Sequence, residues 1–204
     1  MKRPLQLSIR VCAVLALQNA TASAQAPGGW DRCVGFESPD LVIEGCSEII
    51  DEGQQAPAIL AVAHNNRGVA HKAKGEYDLA LNDYDQAIQL NPNAASHYNN
   101  RGVIYRLKHD YDRAITDYDE ALWLKSDYIA AFYNRALTYV DKEDYGRALA
   151  DFGVVLQFNP KNALALYARG WMLLKKGDTE AGNADIVAAK AITPNIAEQF
   201  DPSN

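Results

Sequence analysis

Three sets of residues in this chain have types and spacings that could do chemistry: four histidines, two aspartate pairs and two closely spaced cysteines. The histidines are His64, His71, His97 and His109. His64 and His71 stand seven apart and would share a helical face, but no carboxylate or cysteine at i+4 completes a metal-ligand set. They read as ordinary half-exposed histidines. Asp83/Asp85 and Asp117/Asp119 spell the D-x-D of a chelating pair. On a helix, residues two apart point about 200° apart, so neither pair can grip one cation. Arg113 and Asp117, four apart, read as a surface ion pair. No glycine-rich phosphate loop follows a strand pattern, and no G-x-S-x-G elbow occurs. The expectation is a chain with no catalytic residues, no metal and no cofactor.

The cysteines point to a compartment. Lys2, Arg3 and Arg10 make a basic start, Val11 to Leu17 a short apolar run, and Ala22-Ser23-Ala24 a small-residue cleavage motif. That order is a secretory signal peptide over residues 1–24, with the cut before Gln25. The run is too short to be a stable membrane span. Cys12 leaves with the leader, and its setting is not that of a lipid-attachment cysteine. Cys33 and Cys46 remain, and in an export context they read as one disulfide, the alternative being two free thiols. Losing the leader makes the formal net charge of −6 three units more negative. An acidic surface argues against nucleic acid as partner and against anionic lipid.

The elements that carry these residues follow from an internal repeat. Rows of 34 residues starting at Ala61 give 61–94, 95–128, 129–162 and 163–196 without a gap. Their columns align: Arg67, Arg101, Arg135 and Arg169; Gly68, Gly102, Ala136 and Gly170; Asp83, Asp117, Asp151 and Asp185; Tyr84, Tyr118, Phe152 and Ile186; Pro92, Ser126, Pro160 and Pro194. Each row splits into two helical stretches, in row one roughly Ala58 to Lys74 and Tyr77 to Leu90. Lys74-Gly75-Glu76 and Asn91-Pro92-Asn93 punctuate them, glycine as a left-handed cap and proline as a stop. Small residues stand where paired helices must approach. One hairpin cannot bury its apolar side alone, whereas stacked hairpins can. The Arg and Asp columns, sixteen residues apart on opposite helices, predict an ion pair inside every hairpin, the alternative being a charged ladder that a ligand touches.

The period and its small, aromatic and proline columns resemble the tetratricopeptide repeat family over residues 61–196. The resemblance implies an all-α, right-handed solenoid of four hairpins. Ser126 departs from the proline column, which predicts a continuous helical turn between rows two and three. Row four, with Gly182, Asn183 and Ile186, predicts a frayed second helix. Residues 25–60 are not a repeat. Ala26 to Gly29 reads as loop, and Ser38-Pro39-Asp40 as a helix start. Leu41–Asp51 reads as an N-terminal capping helix, with a Cys33–Cys46 bridge tying the preceding loop to it. Similar cysteine-bearing leaders precede such repeats in some exported bacterial proteins, which implies the periplasm of a Gram-negative bacterium. The tail, 197–204, is too short for a full extra helix, so the last hairpin's flank is expected to be wet or paired with a second copy.

The family resemblance also implies a concave groove lined by the second, fifth, ninth and twelfth columns of each first helix. These include Asn65 and Lys72, Asn99 and Arg106, Tyr133 and Val140, and Tyr167 and Trp171, with the sixth column adding Asn66, Asn100 and Asn134. The first half is amide-rich, suited to an extended peptide backbone. The second half is aromatic, suited to anchoring side chains. The clamp with which chaperone-binding arrays hold a C-terminal carboxylate is absent. Of its matching positions, Asn65, Val69, Asn100, Ala130 and Asn134, only Asn100 agrees. The expected function is a scaffold for a protein or peptide partner in the groove. The alternatives are a self-associating structural module, dimeric through the last hairpin, and a protein that contacts glycan or small ligand through Tyr133, Tyr167 and Trp171. Asn at the groove columns could also only solvate or cap helix one, with Trp171 in the core.

Overall fold

The computed structural model describes residues 28–35 and 38–199; the leader read at 1–24 lies outside the described residues. Eleven helices follow one another with no strand among the described residues: α1 Gly29–Val34, α2 Pro39–Glu52, α3 Pro57–Ala73, α4 Tyr77–Leu90, α5 Ala95–Leu107, α6 Tyr111–Leu124, α7 Ile129–Asp141, α8 Tyr145–Phe158, α9 Ala163–Lys175, α10 Thr179–Ile192 and α11 Ile196–Gln199. From α3 to α10 they pair as α3/α4, α5/α6, α7/α8 and α9/α10, and each pair packs on the next. The architecture is the expected all-α solenoid of four hairpins with an N-terminal capping helix. No described helix is long and apolar enough to cross a membrane.

Each hairpin closes on its small column. A Cβ on Gly68 would stand 2.8 Å from Tyr84, and one on Gly102 would stand 2.8 Å from Tyr118. Both tyrosines are fully buried, as is Phe152 in row three. The turn inside each row needs a left-handed residue. Gly75 and Gly177 supply it at φ 76° and 89°, but His109 and Glu143 hold the same column at φ 60°. A side chain in that conformation costs about 1–2 kcal/mol. Asp110, Asp144 and Asp178 then cap the second helices of rows two to four, each accepting from a backbone N–H three residues on.

Three expectations need correction. Ser126 does not fuse two helices: α6 ends at Leu124 and α7 starts at Ile129. Lys125 takes the same extended cap as Asn91, so this conformation does not depend on proline. Row four is not frayed, because α10 runs its full 14 residues and starts at an Asp178 cap. The segment before α2 is not all loop: Gly29 begins α1. Gly45 makes room for it, since a Cβ there would stand 2.5 Å from the Gly29 carbonyl oxygen. The Cys33–Cys46 disulfide joins α1 to α2, and both cysteines are buried. At the other end, α11 lays Ile196, only 1% exposed, against the last hairpin.

The core changes character along the array. Its largest apolar cluster lies in the last two rows and includes Phe152, Leu156, Leu166, Met172 and Ile196. The clusters before it are small: one rests on Ala80, Tyr84 and Ile104 in rows one and two, another on Ala95 and Ala121 of row two with Ala131 of row three.

Candidate functional site

The arginine column is structural in every row. Arg67, Arg101, Arg135 and Arg169 each grip their own row's Asp83, Asp117, Asp151 and Asp185 through two nitrogens, at 2.6–3.2 Å. The D-x-D pairs take their meaning here. The first aspartate binds the arginine of its own row, and the second binds the arginine of the next. Arg101 Nη1 reaches Asp85 at 2.7 Å, and Arg135 Nη1 reaches Asp119 at 2.5 Å. In row one, Arg67 Nη1 donates instead to Ser47 Oγ on α2 at 3.0 Å. The expected Arg113–Asp117 pair does not form. Asp117 is buried against Arg101, and Arg113 turns back to Asp110 at 2.5 Å. These pairings raise the pKa of Arg101 and Arg135, chiefly through the hydrogen bonds they donate to Asp117 and Asp151.

Along the other side of the hairpins runs a chain of side-chain amides. Asn66 Nδ2 donates to the Cys33 carbonyl at 3.1 Å, and Asn65 Nδ2 to Asn66 Oδ1 at 3.3 Å. Asn100 Nδ2 donates to Asn65 Oδ1 at 3.0 Å, and Asn99 Nδ2 to Asn100 Oδ1 at 3.4 Å. Asn134 Nδ2 closes the chain on Asn99 Oδ1 at 2.9 Å. The amides link α1, α3, α5 and α7. Each amide carries two N–H groups and two acceptor lone pairs, so the chain consumes only part of its capacity. Asn99 is a correction, because it is 5% exposed and belongs to the packing between rows rather than to an open surface.

The remaining groove positions divide. Lys72 is half-buried on α3. Arg106 is already engaged, its Nε 2.6 Å from Asp141 Oδ2 on α7. Tyr133 packs edge-on against Phe152 with ring centres 5.7 Å apart, and burial raises its pKa. Tyr167 and Trp171 are half-buried against the C-terminal core. Trp171 meets Tyr145 edge-on at 5.8 Å and carries the Lys175 ammonium 5.1 Å from its ring. Val140, at the twelfth column of row three, is 6% exposed and is core. Val62 and Val69 are open, each at 39%.

The histidines are less uniform than expected. His64 Nδ1 lies 2.9 Å from Asp83, and His71 Nδ1 lies 2.6 Å from Glu76. Burial opposes ionisation of Asp83, but His64 and Arg67 outweigh it and hold the carboxyl below its usual range. His97 is buried rather than half-exposed, and burial lowers its pKa. Its Nδ1 joins the amide chain at Asn65 Oδ1, 3.1 Å away. Among the described residues no group of three or more His, Cys, Asp or Glu is placed to hold a metal. Sequence reasoning missed His97 and Asp141 as partners of Asn65 and Arg106. Those contacts cross between rows at separations of 32 and 35 residues and leave no mark inside one row.

Comparison with known proteins agrees with this geometry. Tetratricopeptide repeat models match residues 61–94, 95–128 and 133–193. No curated protein matches significantly. Among solved structures, a MamA crystal structure superposes with a TM-score of 0.68 at 17% identity, covering 78% of this chain and 91% of that one. MamA 41-end from Desulfovibrio magneticus RS-1 gives 0.70 at 17% identity, over 81% and 91%. The first repeat domain of Spaghetti (RPAP3), bound to the HSP90 peptide SRMEEVD, gives 0.57 at 20% identity, over 60% of this chain and 96% of that one. With the repeat models covering most of the paired helices, this chain belongs to the tetratricopeptide repeat family.

Proposed function

We propose that this protein is an exported, non-catalytic scaffold that holds an extended segment of a partner protein along the face built by α3, α5, α7 and α9. The observation that carries this reading is the amide chain from Asn66 to Asn134. It pre-orders the half-buried amides of Asn65, Asn66, Asn100 and Asn134 across three rows, so their remaining N–H groups meet a peptide backbone without further ordering cost. Beyond it, Tyr133, Tyr167 and Trp171 offer aromatic area for an anchoring side chain. The Spaghetti domain, which shares the fold, holds a peptide. The absent carboxylate clamp argues that this chain takes a different class of segment.

The test is photocrosslinking in the native host. Benzoylphenylalanine placed at Val103 or Leu137, half-buried on α5 and α7, should yield a discrete adduct. The same group at Trp123, 78% exposed on α6, should not. Adducts at Trp123 alone would move the partner off this face. The signal-type leader and the buried disulfide support an oxidising, periplasmic address. Cell fractionation with non-reducing mass spectrometry checks it, and a cytosolic protein with two free thiols would refute it.

A further inference from the structure

Besides the single Arg106–Asp141 pair, two columns of contacts recur between successive rows, and both stop at the same junction. In the first, Arg67, Arg101 and Arg135 each give Nη1 to an acceptor on the preceding element: Ser47, Asp85 and Asp119. In the second, Lys108 and Lys142 each bind an aspartate thirty residues earlier, Asp78 and Asp112. Row four keeps both cations, Arg169 and Lys176, but the positions that would hold their carboxylates are Gly153 and Gly146. Among the described residues, Arg169 Nη1 and the Lys176 ammonium have no acceptor. Arg169 is accordingly 32% exposed, against 19% and 21% for Arg135 and Arg101.

Neither glycine is explained by crowding. A Cβ on Gly153 would meet nothing within 4 Å, and one on Gly146 would meet only Asp144 Oδ1 at 3.6 Å. Glycine inside a helix costs about 1 kcal/mol relative to alanine. At Gly153 lies a cleft of about 300 Å³ between α8 and α9, with Arg169 and Gln157 as its polar groups and Leu156, Pro160 and Leu166 as its apolar walls; Gly146 and Lys176 stand outside it. A cation beside an apolar wall, with its carboxylate position left empty, is complementary to an acidic side chain next to an apolar one.

We propose that this cleft, together with Lys176 beyond it, is a docking site for an acidic segment of a partner protein, one carboxylate pairing with Arg169 in the cleft and the other with Lys176. Positions 146 and 153 are seven residues apart on one helix, about 10 Å. The segment therefore carries two carboxylates at roughly that spacing, as two aspartates three apart do in an extended chain. The site lies where the second helix of row three meets the first of row four, and it does not depend on the reading of the face lined by the asparagines.

The test uses the full mature chain, isotopically labelled for NMR, and the capped peptide Ala-Asp-Leu-Ala-Asp-Leu-Ala. The expected result is saturable shifts of the Arg169 Nε–Hε signal and of the Gly153 amide, absent with the Asn-for-Asp peptide. Gly153→Asp, which fills the position from within, should weaken the peptide roughly tenfold. Lys176→Glu, at an exposed position, should do the same without touching the cleft wall. Shifts that are equal for the Asn peptide, or unchanged in both variants, would overturn the proposal. So would the absence of any shift at millimolar peptide.

Discussion

The junction between rows two and three and the junction between rows three and four have the same backbone geometry and opposite chemistry. At the first, Arg135 bridges Asp151 and Asp119, Lys142 binds Asp112, and Asn134 donates to Asn99. At the second, Gly146 and Gly153 remove both inter-row carboxylates, and packing rests on Phe152, Leu156, Leu166 and Met172. The repeat thus specifies a register of helices and leaves the adhesive between neighbours free to change. A solenoid permits this because each row answers only to the rows beside it.

The comparison can be broken hardest at Phe152. Phe152→Ala should cost about 4 kcal/mol in urea unfolding and be insensitive to salt, since it leaves a cavity in the apolar end. Next comes the ionic end. Asp117→Ala leaves Arg101 with the exposed Asp85 alone and should cost about 3 kcal/mol. Asp85→Ala removes an acceptor that is 51% exposed and should cost less than about 1 kcal/mol, shrinking as salt rises. A tie between the two aspartates would show that burial does not separate the two halves of the D-x-D pair. His109→Gly should stabilise the turn of row two by about 1 kcal/mol, because the residue is held at φ 60°. A destabilised variant would mean that the His109 contact with Tyr111 outweighs the backbone strain.

The smallest effect concerns pH and belongs to the amide-linked half. His97 is buried and its folded pKa lies below the ordinary 6.5. The unfolded chain therefore binds a proton first as pH falls. The stability that neutral His97 contributes is complete above about 6.5 and is lost as pH drops from there through the folded pKa. His97→Gln should flatten that slope in thermal melts between pH 7 and 5 while keeping a donor for Asn65. An unchanged slope would place the dependence elsewhere.

Much of the architecture was legible because it is local. The 34-residue period, the small residues opposite Tyr84 and Tyr118, and the Arg–Asp pair in each hairpin are all relations within one row. The candidate face was legible only in part. Its columns were named, yet Asn99 and Val140 proved buried, and Arg106 proved engaged with Asp141. Each of those outcomes depends on the neighbouring row, and a column read inside one row carries no information about what stands across from it. The frayed fourth hairpin failed for a related reason: weak composition in α10 was offset by the Asp178 cap and by contact with α9 and α11.

By itself the amino-acid order determined the number of hairpins, their register and the pairing of charges inside each, because those are set by spacings shorter than one repeat. Tertiary structure alone decided which aspartate serves the next row, how the asparagines join into one chain from Cys33 to Asn134, and where two cations are left facing glycine. The physical reason is that hydrogen bonds and ion pairs are fixed by ångström distances between groups about thirty residues apart, and only the stacking of one hairpin on another sets those distances.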